Sequence, residues 1–182
     1  MSSAASDRLA DEIRRAIRDV PDFPKQGVVF KDVTPLLADA RLFMEATEAM
    51  AAPFARAGIT HVAAIESRGF ILGGPIAQCI GAGFVPVRKP GKLPARTEVL
   101  EYQLEYGTDR LEIHSDACAD SDAPRVLVVD DVLATGGTAD ATRRLLERLG
   151  AEVVGFSFLM ALGFLSGLQR LGHPTVSALV TY

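Results

Sequence analysis

The chain has 182 residues, 48% of them hydrophobic and 23% charged, and carries a formal net charge of −4. That length suits one domain with a full core, the composition argues against disorder and against a membrane span, and the acidic balance argues against broad nucleic-acid binding, which needs basic surface. Cys79 and Cys118 have no metal or redox spacing and the first residues carry no apolar export segment, so a reducing cytoplasmic setting with both thiols free is expected.

In chain order, Ser6 reads as the N-cap of a helix carrying Leu9, Ile13, Ile17 and Val20 at helical spacing. Residues 21–27 are too rich in proline and glycine for a helix interior. A second helix is predicted from Asp39, with Phe43, Thr47, Met50 and Phe54 turned inward. Short apolar runs then alternate with helices. Strands are predicted at 62–65, 84–87, 126–129, 153–162 and 176–181, and helices at 70–80 and 138–149, the last stopped by Gly150. Continuous Val/Ile/Leu runs between helices predict an α/β fold, a mostly parallel twisted sheet with helices on both faces. Residues 97–113 instead alternate with period two around Gly107–Asp109, which predicts an antiparallel hairpin inserted into that core.

The most informative run is Val126-Leu-Val-Val-Asp-Asp-Val-Leu-Ala-Thr-Gly-Gly-Thr138. Four aliphatics make a buried strand, and two carboxylates follow at the sheet edge where open α/β folds bind ligands. Ala134, Thr135, Gly136, Gly137 and Thr138 then open a helix, offering backbone N–H groups and two hydroxyls as a phosphate cradle. Asp130 and Asp131 are acceptors suited to sugar hydroxyls or a magnesium ion. Taken alone, the acidic pair also suits a solvated strand end, and Gly-Gly a simple turn. No Walker or dinucleotide glycine pattern is present. Arg88, Lys89, Lys92 and Arg96 form a basic cluster that on spacing alone reads as a solvated loop, and in an acidic chain also as a focused anion site.

The whole run resembles the phosphoribosyl pyrophosphate signature of the type I phosphoribosyltransferases. Four further segments, Phe23-Pro-Lys-Gln-Gly-Val-Val-Phe-Lys-Asp-Val-Thr-Pro35, Glu66-Ser-Arg-Gly-Phe70, Arg88-Lys-Pro-Gly-Lys-Leu-Pro94 and Leu104-Glu-Tyr-Gly107, are similar to the adenine phosphoribosyltransferase branch, in order across residues 21–160. The resemblance implies a single domain, 1–182, with an N-terminal hood over 1–37 and a mobile loop and hairpin over 89–113. It implies transfer of a phosphoribosyl group from phosphoribosyl pyrophosphate to adenine, giving AMP and pyrophosphate, with Mg²⁺ accompanying the diphosphate and no assigned side-chain metal ligands. Val29 and Lys31 would read adenine through main-chain groups. Glu66, Ser67, Arg68, Lys89 and Lys92 would face pyrophosphate, with a cis peptide at Glu66–Ser67, and Arg88 would reach the site of a neighbouring subunit in a homodimer. Glu105, flanked by Tyr106, would be the acid/base group; Asp130 and Asp131 would hold the ribose hydroxyls, and Ala134 to Thr138 the 5′-phosphate.

Three positions refine that picture. In 6-oxopurine members the place of Ala134 usually holds an aspartate, so alanine here points to adenine. Lys31 stands where some relatives have arginine, and Pro90 where some have a basic residue. His61, His114 and His173 are too scattered for a metal site and read as surface or junction residues, and Tyr102 and Phe70 as packing groups. Two rival readings remain: a nucleotide-sensing regulator, for which the segment ahead of Pro21 is too short to hold a DNA-binding module, and a transferase for xanthine or a pyrimidine, which the 27–31 and 104–106 segments oppose. No membrane or nucleic-acid partner is expected.

Overall fold

The computed structural model describes residues 3–104 and 107–182, and the chain falls into two compact units, Met1–Ala49 and Met50–Tyr182. In the first, α1 (Ser3–Ala16) begins three residues before the expected cap, so Ser6 lies inside the helix. Leu9, Ile13 and Ile17 are buried at the four-residue spacing of one face. Val20 belongs not to that helix but to β1 (Arg18–Pro21), which pairs antiparallel with β2 (Val29–Asp32), Asp19 opposite Lys31. The turn-rich segment between them is closed by Asp22, whose carboxylate accepts the Gly27 N–H at 2.7 Å, and its Phe23–Pro24 peptide is cis. A short α2 (Thr34–Ala38) follows, with proline in its first turn where no N–H is needed. The expected second helix is α3 (Ala40–Ala51), and Asp39 just before it caps it, its Oδ1 accepting the Leu42 N–H at 3.0 Å.

The second unit runs β3 (His61–Ile65), α4 (Arg68–Ile80), β4 (Gly83–Val87), a hairpin of β5 (Thr97–Leu104) and β6 (Gly107–His114), then β7 (Arg125–Leu133), α5 (Gly137–Arg148), β8 (Glu152–Ala161), α6 (Gly167–Leu171) and β9 (Val176–Thr181). Five strands form an all-parallel sheet in the order β4-β3-β7-β8-β9. Period-two alternation sends Ala63, Ile65, Val126 and Val128 to one face, where they join Leu145 and Leu146 of α5 and Leu100, Leu111 and Ile113 of the hairpin in one buried cluster. The opposite face carries Val62 and Ala64 against α4, packed so closely that a Cβ on Gly73 would lie 2.5 Å from the Ala64 methyl. Helices on both faces explain why the central strand β7 is aliphatic without interruption from Val126 to Val129.

The hairpin is present, and its pairing reaches into the expected turn. Gly107, Thr108 and Asp109, expected to form the turn, are the first residues of β6 and pair with Leu104, Gln103 and Tyr102. The ladder with β8 likewise carries β7 through both acidic residues as far as Leu133, opposite Ala161, so Asp130 and Asp131 lie within the strand rather than after it.

Candidate functional site

The strand order reverses at one place. From β3 the chain crosses through α4 to β4 on one side, whereas β7 lies on the other side of β3 and leads on to β8 and β9. Parallel connections diverging from two neighbouring strands leave a crevice at their carboxyl ends, the usual ligand position in open α/β sheets. A cleft of about 430 Å³ lies there, lined by Glu66, Ser67 and Arg68 after β3, Asp130 and Asp131 of β7, Ala134 to Thr138, and Lys89. The Glu66–Ser67 peptide is cis, as the resemblance implied.

Local sequence explains how the pieces approach. Gly69, in the first turn of α4, lies against β7, where a Cβ would stand 2.9 Å from Asp130 Oδ1 and 3.1 Å from the Val129 carbonyl. Gly136 takes the left-handed conformation at φ 79° and caps α5, turning the chain from strand to helix so that the free N–H groups of the first turn open on the cleft. Asp131 is buried, with Arg68 Nε 2.5 Å from its Oδ2. Asp130 is half-buried, and its Oδ1 accepts the Asp131 N–H at 2.9 Å. Loss of water and then the neighbouring Asp131 charge push the Asp130 carboxyl well above the ordinary carboxylate range, with Arg68 acting the other way.

A second carboxylate organises the basic segment. Glu66 accepts from the Lys89 N–H at 3.0 Å and from Arg88 Nε at 3.1 Å, and pairs with Lys92 Nζ. Burial alone would raise its pKa, but the Lys92, Lys89 and Arg88 contacts outweigh that, and the net direction is downward. Arg88 also lies over the Phe70 ring and donates to the Lys92 carbonyl at 3.2 Å. Lys89 Nζ pairs with Asp109 across the cleft margin. The buried Glu112 accepts the Lys92 and Leu93 N–H groups, both at 2.9 Å, so this basic loop is wrapped around a carboxylate.

The structure therefore brings together Glu66, Ser67, Arg68, Lys89, Asp130, Asp131 and residues 134–138, with Arg88 and Lys92 attached through Glu66. Val29 and Lys31 are on β2 in the first unit; Val29 is exposed, and Lys31 Nζ lies 2.7 Å from Asp19 Oδ1. Glu105 and Tyr106 lie outside the described residues. His61, read as a surface or junction residue, is at a junction: it opens β3 and is buried, with its ring nitrogens 2.8 Å from the Thr60 hydroxyl and 2.9 Å from Asp120. Sequence reasoning missed Asp109 and Glu112, and gave Tyr102 no polar role. The first was hidden by the expected turn at 107–109; the observed register instead sets Tyr102 opposite Asp109.

Comparison with known proteins agrees with this geometry. A family model described as a phosphoribosyl transferase domain matches residues 33–164. The adenine phosphoribosyltransferase of Myxococcus xanthus is 58% identical over 174 residues, 96% of this chain and 94% of that protein. The crystal structure of the Rhodothermus marinus adenine phosphoribosyltransferase superposes with a TM-score of 0.91 at 52% identity, covering 97% of this chain and 99% of the other. The Saccharomyces cerevisiae enzyme, solved with adenine and an imino-altritol bisphosphate, gives 0.86 at 36% identity over 95% and 99% of the two chains. Two carboxylates and a glycine-turned amide cradle at the sheet's switch point, with these relatives over nearly full length, establish that the chain belongs to the adenine phosphoribosyltransferase family.

Proposed function

We propose that the chain transfers the 5-phosphoribosyl group from phosphoribosyl pyrophosphate to adenine, releasing pyrophosphate and forming AMP. The observation that carries this reading is the juxtaposition, in one cleft, of Asp130 and Asp131 with the amide and hydroxyl cradle of residues 134–138 and the cations Arg68 and Lys89. A phosphorylated sugar has the matching order of groups: phosphate for the cradle, hydroxyls for the carboxylates, diphosphate for the cations. In the reaction the bond from the anomeric carbon to pyrophosphate breaks, a carbon–nitrogen bond to adenine forms, and the imidazole proton leaves. Negative charge grows on the departing diphosphate, and fixed cations there lower the barrier more than they stabilise the ground state. Lys89, paired with Asp109, gains a second anionic partner when diphosphate enters. Glu105 is our assignment for the proton acceptor, and main-chain groups of Val29 and Lys31 for reading the base.

The donor set fits Mg²⁺ arriving with the substrate. Among the described residues no group of three or more His, Cys, Asp or Glu gathers to form a protein cage, and Mg²⁺ commonly takes one or two carboxylates together with substrate phosphates. Asp130 and Asp131 would hold it, and when bound it would neutralise part of the diphosphate charge. We assign the working form as a cytoplasmic homodimer in which Arg88 serves the partner's site. Support comes from the free thiols and from exposed Ile71 and Phe84 near Arg88, on α4 and the edge strand β4.

Pyrophosphate release measured with adenine, hypoxanthine, guanine, xanthine and uracil tests the reading. Adenine should be the preferred substrate by orders of magnitude, because an amino group and a carbonyl at one ring position demand opposite partners. In the same assay Glu105→Gln should lower kcat by roughly 10²–10⁴-fold. Comparable rates with hypoxanthine would sink the base assignment, and near-normal turnover by Glu105→Gln the proton role.

A further inference from the structure

Tyr102 is a core residue by its ring and a site residue by its oxygen. It is 7% exposed, on the inward face of β5. Its hydroxyl stands 3.2 Å from Thr138 Oγ1, in the first turn of α5, and 3.3 Å from Asp109 Oδ2. Thr138 lines the cleft, whereas Asp109 is held from its other sides by Lys89 Nζ and by the Arg110 N–H at 2.8 Å. Burial pushes the phenol up to about 12, so it keeps its proton at neutral pH. It therefore has one proton and two acceptors within reach.

We infer that Tyr102 is a positioning residue for the 5′-phosphate, donating its O–H to Thr138 Oγ1 and turning the Thr138 proton into the cleft. A phosphate oxygen only accepts, so Thr138 serves it only by giving up its single proton. The threonine oxygen then has lone pairs facing a half-buried wall, and Tyr102 supplies the donor that satisfies one of them. Asp109 loses little in this exchange, because Lys89 and the Arg110 N–H continue to hold it. With phosphate absent, the same phenol is free to donate to Asp109 while accepting from Thr138. The hydroxyl pair thus has two proton arrangements, and an anion in the cradle selects the one in which tyrosine donates inward.

The inference rests on the reading of residues 134–138 as the 5′-phosphate site, and the experiment separates the two. Tyr102→Phe retains the ring and removes only the hydroxyl. Its KM for phosphoribosyl pyrophosphate at saturating adenine should rise roughly 3–10-fold, the effect of one neutral hydrogen bond, with KM for adenine unchanged and kcat within about twofold. Binding of ribose 5-phosphate by calorimetry should weaken by a similar factor. Thr138→Val should raise the same KM, Thr138→Ser should restore it, and adding Tyr102→Phe to Thr138→Val should change it no further. If Thr138→Val raises KM and Tyr102→Phe does not, the positioning role is wrong and the cradle stands. Equal rises in both substrates' KM would mark Tyr102 as packing only and overturn the role as well. If Thr138→Val has no effect, the cradle reading itself falls and this inference with it.

Discussion

Glu112 is a carboxylate with 4% exposure, in a strand whose neighbours Leu111 and Ile113 belong to the core. What keeps it there is a fold of chain around it: the Lys92 and Leu93 N–H groups at 2.9 Å, with a longer contact from the Thr97 hydroxyl at 3.5 Å. Burial raises its pKa, but the N–H donors of Leu93, Gly91 and Lys92 and the Thr97 hydroxyl outweigh burial, and the net direction is downward. A carboxyl lowered on folding stabilises the native state fully above its unfolded value, about 4.3 for glutamate, and loses that contribution as pH falls through the lower folded value. Stability from urea unfolding should therefore hold steady from pH 7 to 5 on this account and decline below about 4.3. Glu112→Gln presents an amide N–H₂ where only acceptors fit, so it should cost about 1–3 kcal/mol at pH 7 and flatten that acid limb. A variant with unchanged stability and an unchanged acid limb would show that the loop holds itself. Glu66 and Asp109 are lowered in the same direction by their cations and will contribute their own share of the slope.

At the scale of elements, the cradle is shaped by a five-residue helix that no motif announces. Gly167 opens α6 directly against the 134–136 turn: a Cβ there would stand 2.1 Å from the Ala134 carbonyl oxygen, and one on Gly136 would stand 2.9 Å from the Gly167 carbonyl. Backbone lies on both sides, so neither can yield without moving the turn. Gly167→Ala should raise KM for phosphoribosyl pyrophosphate at least tenfold, while Gly74→Ala, where a Cβ meets nothing within 4 Å, should leave kinetics unchanged. Equal kinetics for the two variants would remove α6 from the account of the site. This contact also shows where sequence reading stops. The strand at 176–181 was legible to the residue, because a short run rich in β-branched and apolar residues follows a Gly/Pro-bearing turn at 172–174. The β1–β2 pair and α2 were not, since these short elements mix charged residues and proline among their few apolar positions and show no period. The acids, the cradle and the Glu66-Ser67-Arg68 turn were legible because they are contiguous in sequence. The partnerships of Tyr102 with Thr138, of Glu112 with Lys92 and of Gly167 with Ala134 were not, because each joins segments that only the fold brings near.

At the scale of the whole molecule, the reading of Arg88 decides whether one chain is a complete enzyme. Within a chain its guanidinium bonds to Glu66 at 3.1 Å and lies over Phe70, whose ring meets Phe84 edge-on at 5.8 Å. Phe84 is 41% exposed on the edge strand β4, and Ile71, one turn into α4, is 43% exposed. An apolar sheet edge continuous with a cation at the rim of a cleft is a surface that favours being covered, and a second copy of the chain would present the same patch in return. If Arg88 crosses that interface, each cleft draws its arginine from one chain and its carboxylates from the other. Arg88→Ala and Asp131→Asn chains, each impaired alone, should then complement on mixing. A heterodimer would have one cleft with both defects and one with neither, and a statistical mixture should recover roughly a quarter of the wild-type activity, one intact cleft in two for the half of dimers that are mixed. Phe84→Asp should shift the wild-type chain towards monomer in sedimentation and abolish the complementation, since a buried unpaired charge is costly at an apolar contact. Action of Arg88 within its own chain predicts no recovery on mixing at all, because every chain would carry its own defect into its own cleft.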